Sequence, residues 1–112
     1  MGRTIQMSRW DVNNLGMVLK SIGDLTGAKE CYERAIVIDE AINGPNHPEV
    51  ATAVNNLGGV LQNLGDLRGA KECYERALAV FRQFLGEEHP RTKVVRGNLD
   101  GVLEEMREKA LS

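Results

Sequence analysis

The chain repeats itself at an interval of 42 residues, and few architectures tolerate that. Asn13-Asn14-Leu15-Gly16 returns as Asn55-Asn56-Leu57-Gly58. The correspondence then runs on: Ile22-Gly23-Asp24-Leu25 returns as Leu64-Gly65-Asp66-Leu67, and Gly27 to Ala35 returns unchanged as Gly69 to Ala77. A third copy begins at the same spacing, where Asn98, Leu99, Gly101, Val102 and Leu103 answer Asn56, Leu57, Gly59, Val60 and Leu61. Self-similarity over such a period marks a stack of identical supersecondary units, here about two and a half of them.

Each unit reads as two helices. Val12, Leu15, Val18, Leu19 and Ile22 recur at helical spacing, as do Ala28, Tyr32, Ala35, Ile38 and Ile42 in the partner segment. Gly23-Asp24 and Gly65-Asp66 lie between, the glycine ending one helix and the aspartate capping the next. The longer breaks, Asn43 to Pro48 and Gly86 to Pro90, end in His-Pro, and proline suits a first helical turn because its missing N–H has no helical partner there. The predicted helices are Ser8–Ile22, Leu25–Ile42, Pro48–Leu64, Leu67–Leu85 and Pro90–Leu111, the first opened by a capping box of Ser8 and Asp11. Gly16 and Gly58 would each cost ~1 kcal/mol relative to Ala inside a helix, so they imply close approach of the second helix of the hairpin. Lys29-Glu33, Glu30-Arg34 and their copies Lys71-Glu75 and Glu72-Arg76 put opposite charges four residues apart, pairs that contribute ~0.2–0.5 kcal/mol each on a solvated face.

These residues resemble the tetratricopeptide repeat family. Leu15-Gly16 and Leu57-Gly58 match its pattern directly, Val12 and Val54 stand for its tryptophan, Leu19 and Leu61 for its first tyrosine, and Ala28-x3-Tyr32 and Ala70-x3-Tyr74 for its Ala-x3-Phe. The usual proline is replaced by Glu40 and Arg82, so the second helix continues about another two turns, which accounts for a period of 42 rather than ~34 residues. The long unit, with its Gly-x-x-His-Pro loop and Asn-Asn-Leu, is similar to kinesin light chain repeats. The resemblance implies an all-α, right-handed α-solenoid of stacked antiparallel hairpins. It would form one domain over 1–112, with units at about 8–47, 48–89 and 90–112, the last a single helix.

The totals narrow the function. Fourteen basic against sixteen acidic residues leave a net charge of −2 with no basic stretch, which argues against nucleic acid. Apolar runs such as Ala35-Ile36-Val37-Ile38 are far short of the ~20 residues of a membrane span. Nothing at the start reads as a secretion signal, so the expected setting is cytoplasmic. Cys31 and Cys73 occupy equivalent places on helices that pack ~8–10 Å apart, beyond the ~7 Å Cα separation a disulfide spans. They are read as reduced, core-side thiols. His47 and His89 fall at matching loop positions without a cysteine or carboxylate cluster, so they start helices rather than hold a metal. Neither histidine has a nucleophile and an orienting acid. No catalytic residue, metal or cofactor is expected, and the chain is not read as an enzyme.

What remains is a protein or peptide partner. In a stacked solenoid the first helices line a concave groove. Asn14, Asn56 and Asn98 share one place on them, and asparagine is a poor helix former. Its amide offers a donor and an acceptor to an extended backbone, the use the family resemblance implies; the alternative is a hydrogen bond between adjacent repeats. Gly59 and Gly101, off the packing stripe, would leave the groove floor bare, and Asn13, Lys20, Asn55, Gln62 and Asn63 would extend its polar lining. The lysine and arginine set with which family members clamp a terminal carboxylate is missing, and Asn55 and Gly97 stand where bulkier groove residues are common, so an internal peptide segment is expected. The competing reading is a structural or self-associating module, or part of a longer array. It would use Met7, Trp10 and the last helix, whose Glu104, Glu105, Arg107, Glu108 and Lys109 would otherwise make a polar cap.

Overall fold

The computed structural model describes residues 9–111, with side chains from Val12 to Leu111. Five helices follow one another: α1 (Arg9–Ser21), α2 (Leu25–Asn43), α3 (Pro48–Asn63), α4 (Leu67–Leu85) and α5 (Pro90–Leu111). The predicted start at Ser8 lies outside the described residues, every other helix end lies within a residue of its predicted bound, and α2 and α4 run through Glu40 and Arg82 for 19 residues each. The proposed Ser8–Asp11 capping box lies outside the described residues. Each helix packs chiefly on its neighbours in sequence, and α3 also meets α5. The result is an extended stack of 59 × 32 × 19 Å rather than a sphere.

The repeated turns are built alike. Gly23 and Gly65 take φ values of 89° and 88°, a left-handed conformation that side chains resist. Around the first, Gly23 N–H donates to the Lys20 carbonyl and Asp24 N–H to the Leu19 carbonyl; around the second, Gly65 donates to Gln62 and Asp66 to Leu61. These paired bonds close a helix end. The next residue opens the following helix: Asp24 Oδ1 accepts from Gly27 N–H at 2.9 Å and Asp66 Oδ1 from Gly69 N–H at 3.0 Å, a cap worth ~1 kcal/mol. His47 and His89 do start helices, through their rings as well as their positions. His47 Nδ1 accepts from Glu49 N–H and His89 Nδ1 from Arg91 N–H, both at 3.1 Å.

Within each hairpin a tyrosine ring lies on a glycine. A Cβ at Gly16 would stand 2.9 Å from the Tyr32 ring, and one at Gly58 would stand 2.7 Å from the Tyr74 ring. The glycines therefore make room for the second helix. Val12 and Val54 are buried in the places of the family tryptophan, and Ala28, Ala35, Ala70 and Ala77 are fully buried where helices approach closely.

Two expectations need correction. The α1 stripe is not a core face along its length: Val12 is buried and Leu19 partly so, but Leu15, Val18 and Ile22 are exposed because no helix lies on the outer side of α1 among the described residues. Ile42 is exposed too. The four charge pairs within α2 and α4 do not form. Arg76 instead reaches across to α2, 3.3 Å from a Glu40 carboxylate oxygen, and donates to the Pro45 carbonyl at 3.1 Å, two acceptors that its own helix cannot offer together. Cys31 and Cys73 are free and partly buried against the core.

Candidate groove on the first helices

The first helix of each unit presents one face to a common groove. Its amino-terminal half holds a pocket of about 250 Å³ lined by Asn13, Asn14 and Met17 of α1, Glu49, Thr52 and Asn56 of α3, and Arg91 of α5. The spacings 49–52–56 and 13–17 are those of one helical face. A second hollow adjoins it between α3 and α5, sharing Thr52 and Arg91 and adding Asn55, Phe81, Pro90, Val94 and Val95. Met17 and Val94 are exposed apolar side chains there, set among amides and flanked by charges of both signs at Glu49 and Arg91.

The two seams between these helices differ. Between α3 and α5, Asn98 Nδ2 donates to Asn55 Oδ1 at 3.1 Å. One repeat earlier the same positions are Asn56 and Asn13, and there Asn13 Oδ1 is buried without a hydrogen-bond partner. A buried acceptor without a donor costs ~1–3 kcal/mol, so this rung is the one with an unmet demand.

At the carboxyl-terminal half the α3–α5 seam is also closed. Tyr74 Oη donates to Gln62 Oε1 at 3.0 Å and Gln62 Nε2 donates to Glu105 Oε1 at 2.8 Å. Burial, then the neighbouring Cys73 and Glu105, pushes the Tyr74 hydroxyl above its ordinary range and keeps it a donor. In the first unit Lys20 stands in the place of Gln62, and its ammonium lies over Gly59, 3.1 Å from where a Cβ would be.

The expected groove set is therefore divided. Asn13, Asn14, Asn55 and Asn56 meet in the two hollows. Asn55 and Asn98 are joined to one another, the inter-repeat alternative, and both polar ends of Gln62 are engaged within the chain. Gly59 is not a bare floor because Lys20 covers it, Gly101 has nothing within 4 Å of a Cβ position, and Asn63 is exposed. Sequence reasoning missed Met17, Glu49, Thr52, Arg91 and Val94. Met17 was findable, since it precedes Gly59 by one period and so occupies the face that glycine occupies in the next two units.

Other chemistry is sparse. Among the described residues no three His, Cys, Asp or Glu side chains gather as metal ligands. No helix there is long and apolar enough to cross a membrane. Burial raises both thiols, Cys73 to about 11, where a nearby Arg76 opposes the shift only in part. Such thiols are poor nucleophiles.

Comparison with known proteins bears on the fold. The tetratricopeptide repeat model matches residues 6–61 and again 49–110, two overlapping placements that together span nearly the whole chain. No curated protein matches. Among solved structures, BtubC (BKLC) from P. vanneervenii is similar at 29% identity and a TM-score of 0.80, over 88% of this chain. The match spans only 39% of the BtubC chain. The chain belongs to the tetratricopeptide repeat family and carries the 42-residue, kinesin light chain-like form of the repeat.

Proposed function

We propose that the chain is a protein-interaction scaffold that binds an extended internal segment of a partner in its groove, at the seam between α1 and α3. Repeats of this family mediate protein–protein interaction. The observation that carries the finer reading is the open rung: Asn13 Oδ1 is buried and unpaired beside a pocket that also holds Asn14 and Asn56, whereas its counterpart Asn55 is paired. The Asn13 side chain turns into the pocket it lines to accept a backbone N–H of the bound segment, and the free amides of Asn14 and Asn56 pair with its peptide groups whatever their sequence. Selectivity comes from one medium-sized apolar side chain set against Met17 in the 250 Å³ pocket, with Glu49 and Arg91 discriminating its flanking charges. Asn55, Asn98 and Gln62 act mainly to hold the seam beside it. Nothing in this reading asks for a cofactor or a bond-making step, and the two free thiols suit a reducing, cytoplasmic setting.

The test is selection of binders from a random linear peptide library, followed by titration against variants whose melting curves are normal. Asn13→Ala and Asn56→Ala should weaken the selected peptides at least ~10-fold, about 1.4 kcal/mol, while Asn63→Ala leaves them unchanged. Selected peptides that bind Asn13→Ala and Asn56→Ala as well as the parent would remove the groove from consideration.

A further inference from the structure

The carboxyl-terminal half of the α1–α3 seam holds two donors that lack an acceptor. In the α3–α5 seam the corresponding groups are matched. Tyr74 lies on Gly58, its hydroxyl reaches Gln62 four residues further along α3, and Gln62 Nε2 reaches the Glu105 carboxylate. Tyr32 lies on Gly16 in the same way, and the residue four further along α1 is Lys20. Residues four apart share a helical face, so Lys20 holds towards Tyr32 the place that Gln62 holds towards Tyr74.

Exchanging glutamine for lysine changes the chemistry of that place. Glutamine both accepts and donates, and so carries the chain of bonds from Tyr74 to Glu105, whereas an ammonium only donates. The Tyr32 hydroxyl accordingly has no hydrogen-bond partner, and the Lys20 ammonium no ion pair, among the described residues. Burial, then the neighbouring Cys31, pushes the Tyr32 hydroxyl above its ordinary range and keeps it a donor. The carboxylate is missing as well, because exposed Asn63 stands one period before Glu105. Lys20 is itself exposed, so an anion can reach it from the groove.

We infer that Lys20 and Tyr32 form a carboxylate subsite of the groove, which takes an acidic side chain of the bound segment in the role that Glu105 plays within the other seam. This rests on the groove reading above and adds a charge requirement to it. One carboxylate oxygen accepts from the Tyr32 hydroxyl and the other from the ammonium, and charge-assisted bonds are roughly twice as strong as neutral ones. Met17, against which the apolar side chain sits, precedes Lys20 by three residues, a rise of ~4.5 Å. Alternate residues of an extended segment lie ~6.8 Å apart on one side, and the lysine stem spans the difference. The acidic residue therefore falls within two positions of the apolar one.

The experiment repeats the peptide selection on the parent, Lys20→Glu and Lys20→Gln chains, each with a normal melting curve. The parent should enrich Asp or Glu within two positions of the apolar residue, and Lys20→Glu should reverse that preference to Lys or Arg. Lys20→Gln, which gives Tyr32 the acceptor that Tyr74 has, should bind a parent-selected acidic peptide ~10-fold more weakly. Changing the acid of that peptide to its amide should cost the parent the same ~10-fold and Lys20→Gln under ~2-fold. Tyr32→Phe should weaken binding ~3-fold without lowering Tm. Peptides that need Asn13 and Asn56 but show no acidic position, or keep it against Lys20→Glu, overturn this inference alone. A ~10-fold loss on amidating the peptide's carboxyl terminus also overturns it, by assigning the subsite to a terminal carboxylate. Peptides indifferent to Asn13→Ala and Asn56→Ala, or a library that yields no binder, remove the groove reading and this inference with it.

Discussion

Two seams join the first helices, and although their sequences are close copies, one is closed and the other is not. Between α3 and α5 an amide pair, a tyrosine hydroxyl and a glutamine–glutamate bond satisfy one another from end to end. Between α1 and α3 the same register leaves Asn13 Oδ1 unpaired, puts Met17 where glycine follows in later units, and replaces the bridging glutamine with Lys20. On the proposed function, binding resides at the seam where the repeat departs from its copy.

The comparison is open to direct attack, and the largest effect should come from the helix contacts beneath the seams. Gly58→Val drives a branched side chain into Tyr74 and should destabilise the fold by about 3 kcal/mol in urea titration. Gly16→Val makes the same collision with Tyr32, but no helix among the described residues lies on the outer side of α1, which shifts, so about half that loss is expected. Equal losses would mean that the α1 seam is as rigid as the other. Next comes Gln62→Leu, which strands the Tyr74 hydroxyl and should cost about 1–2 kcal/mol. Lys20→Leu, one period earlier, should cost under about 0.5 kcal/mol. A smaller contrast is expected between Asn98→Ala, at about 1 kcal/mol for a lost inter-repeat bond, and Asn14→Ala, which should leave stability unchanged within about 0.3 kcal/mol.

The smallest effect concerns pH. The Cys73 thiol is raised from 9.0 to about 11 by burial, so the folded state favours its neutral form. Stability from this source is complete below pH 9 and declines as pH rises from there towards 11. Melts across that range should fall less steeply for Cys73→Ala than for the parent, and iodoacetamide at pH 8.5 should label Cys31 before Cys73, since the thiolate is the reactive form.

Most of the fold was legible because its signals are local and occur twice. Gly23-Asp24 and Gly65-Asp66 announce a helix end and a cap, and Gly16 with Tyr32 announces a close contact, without knowledge of anything distant. The candidate site was half legible. Its face could be read from helical spacing, and Asn13, Asn14, Asn55 and Asn56 line the two hollows. Which amides are already engaged could not be read, because the Asn98–Asn55 bond depends on the lateral offset between helices 43 residues apart in the chain. Arg76 makes the same point for charge. A spacing of four offers it Glu72, but the turn after α2 brings Glu40 and the Pro45 carbonyl within reach together, and two acceptors outweigh one.

The four left-handed glycines, Gly23, Gly44, Gly65 and Gly86, fall in two pairs one period apart. Every 42-residue stretch therefore contains both of the bends it needs, one inside the hairpin and one leading out of it. A gene segment of that length can be duplicated in frame from almost any starting point and still encode a unit that folds back on itself and returns the chain to its starting direction. Heredity needs no new turn to lengthen such a protein, and each added copy is then free to vary on its groove face alone.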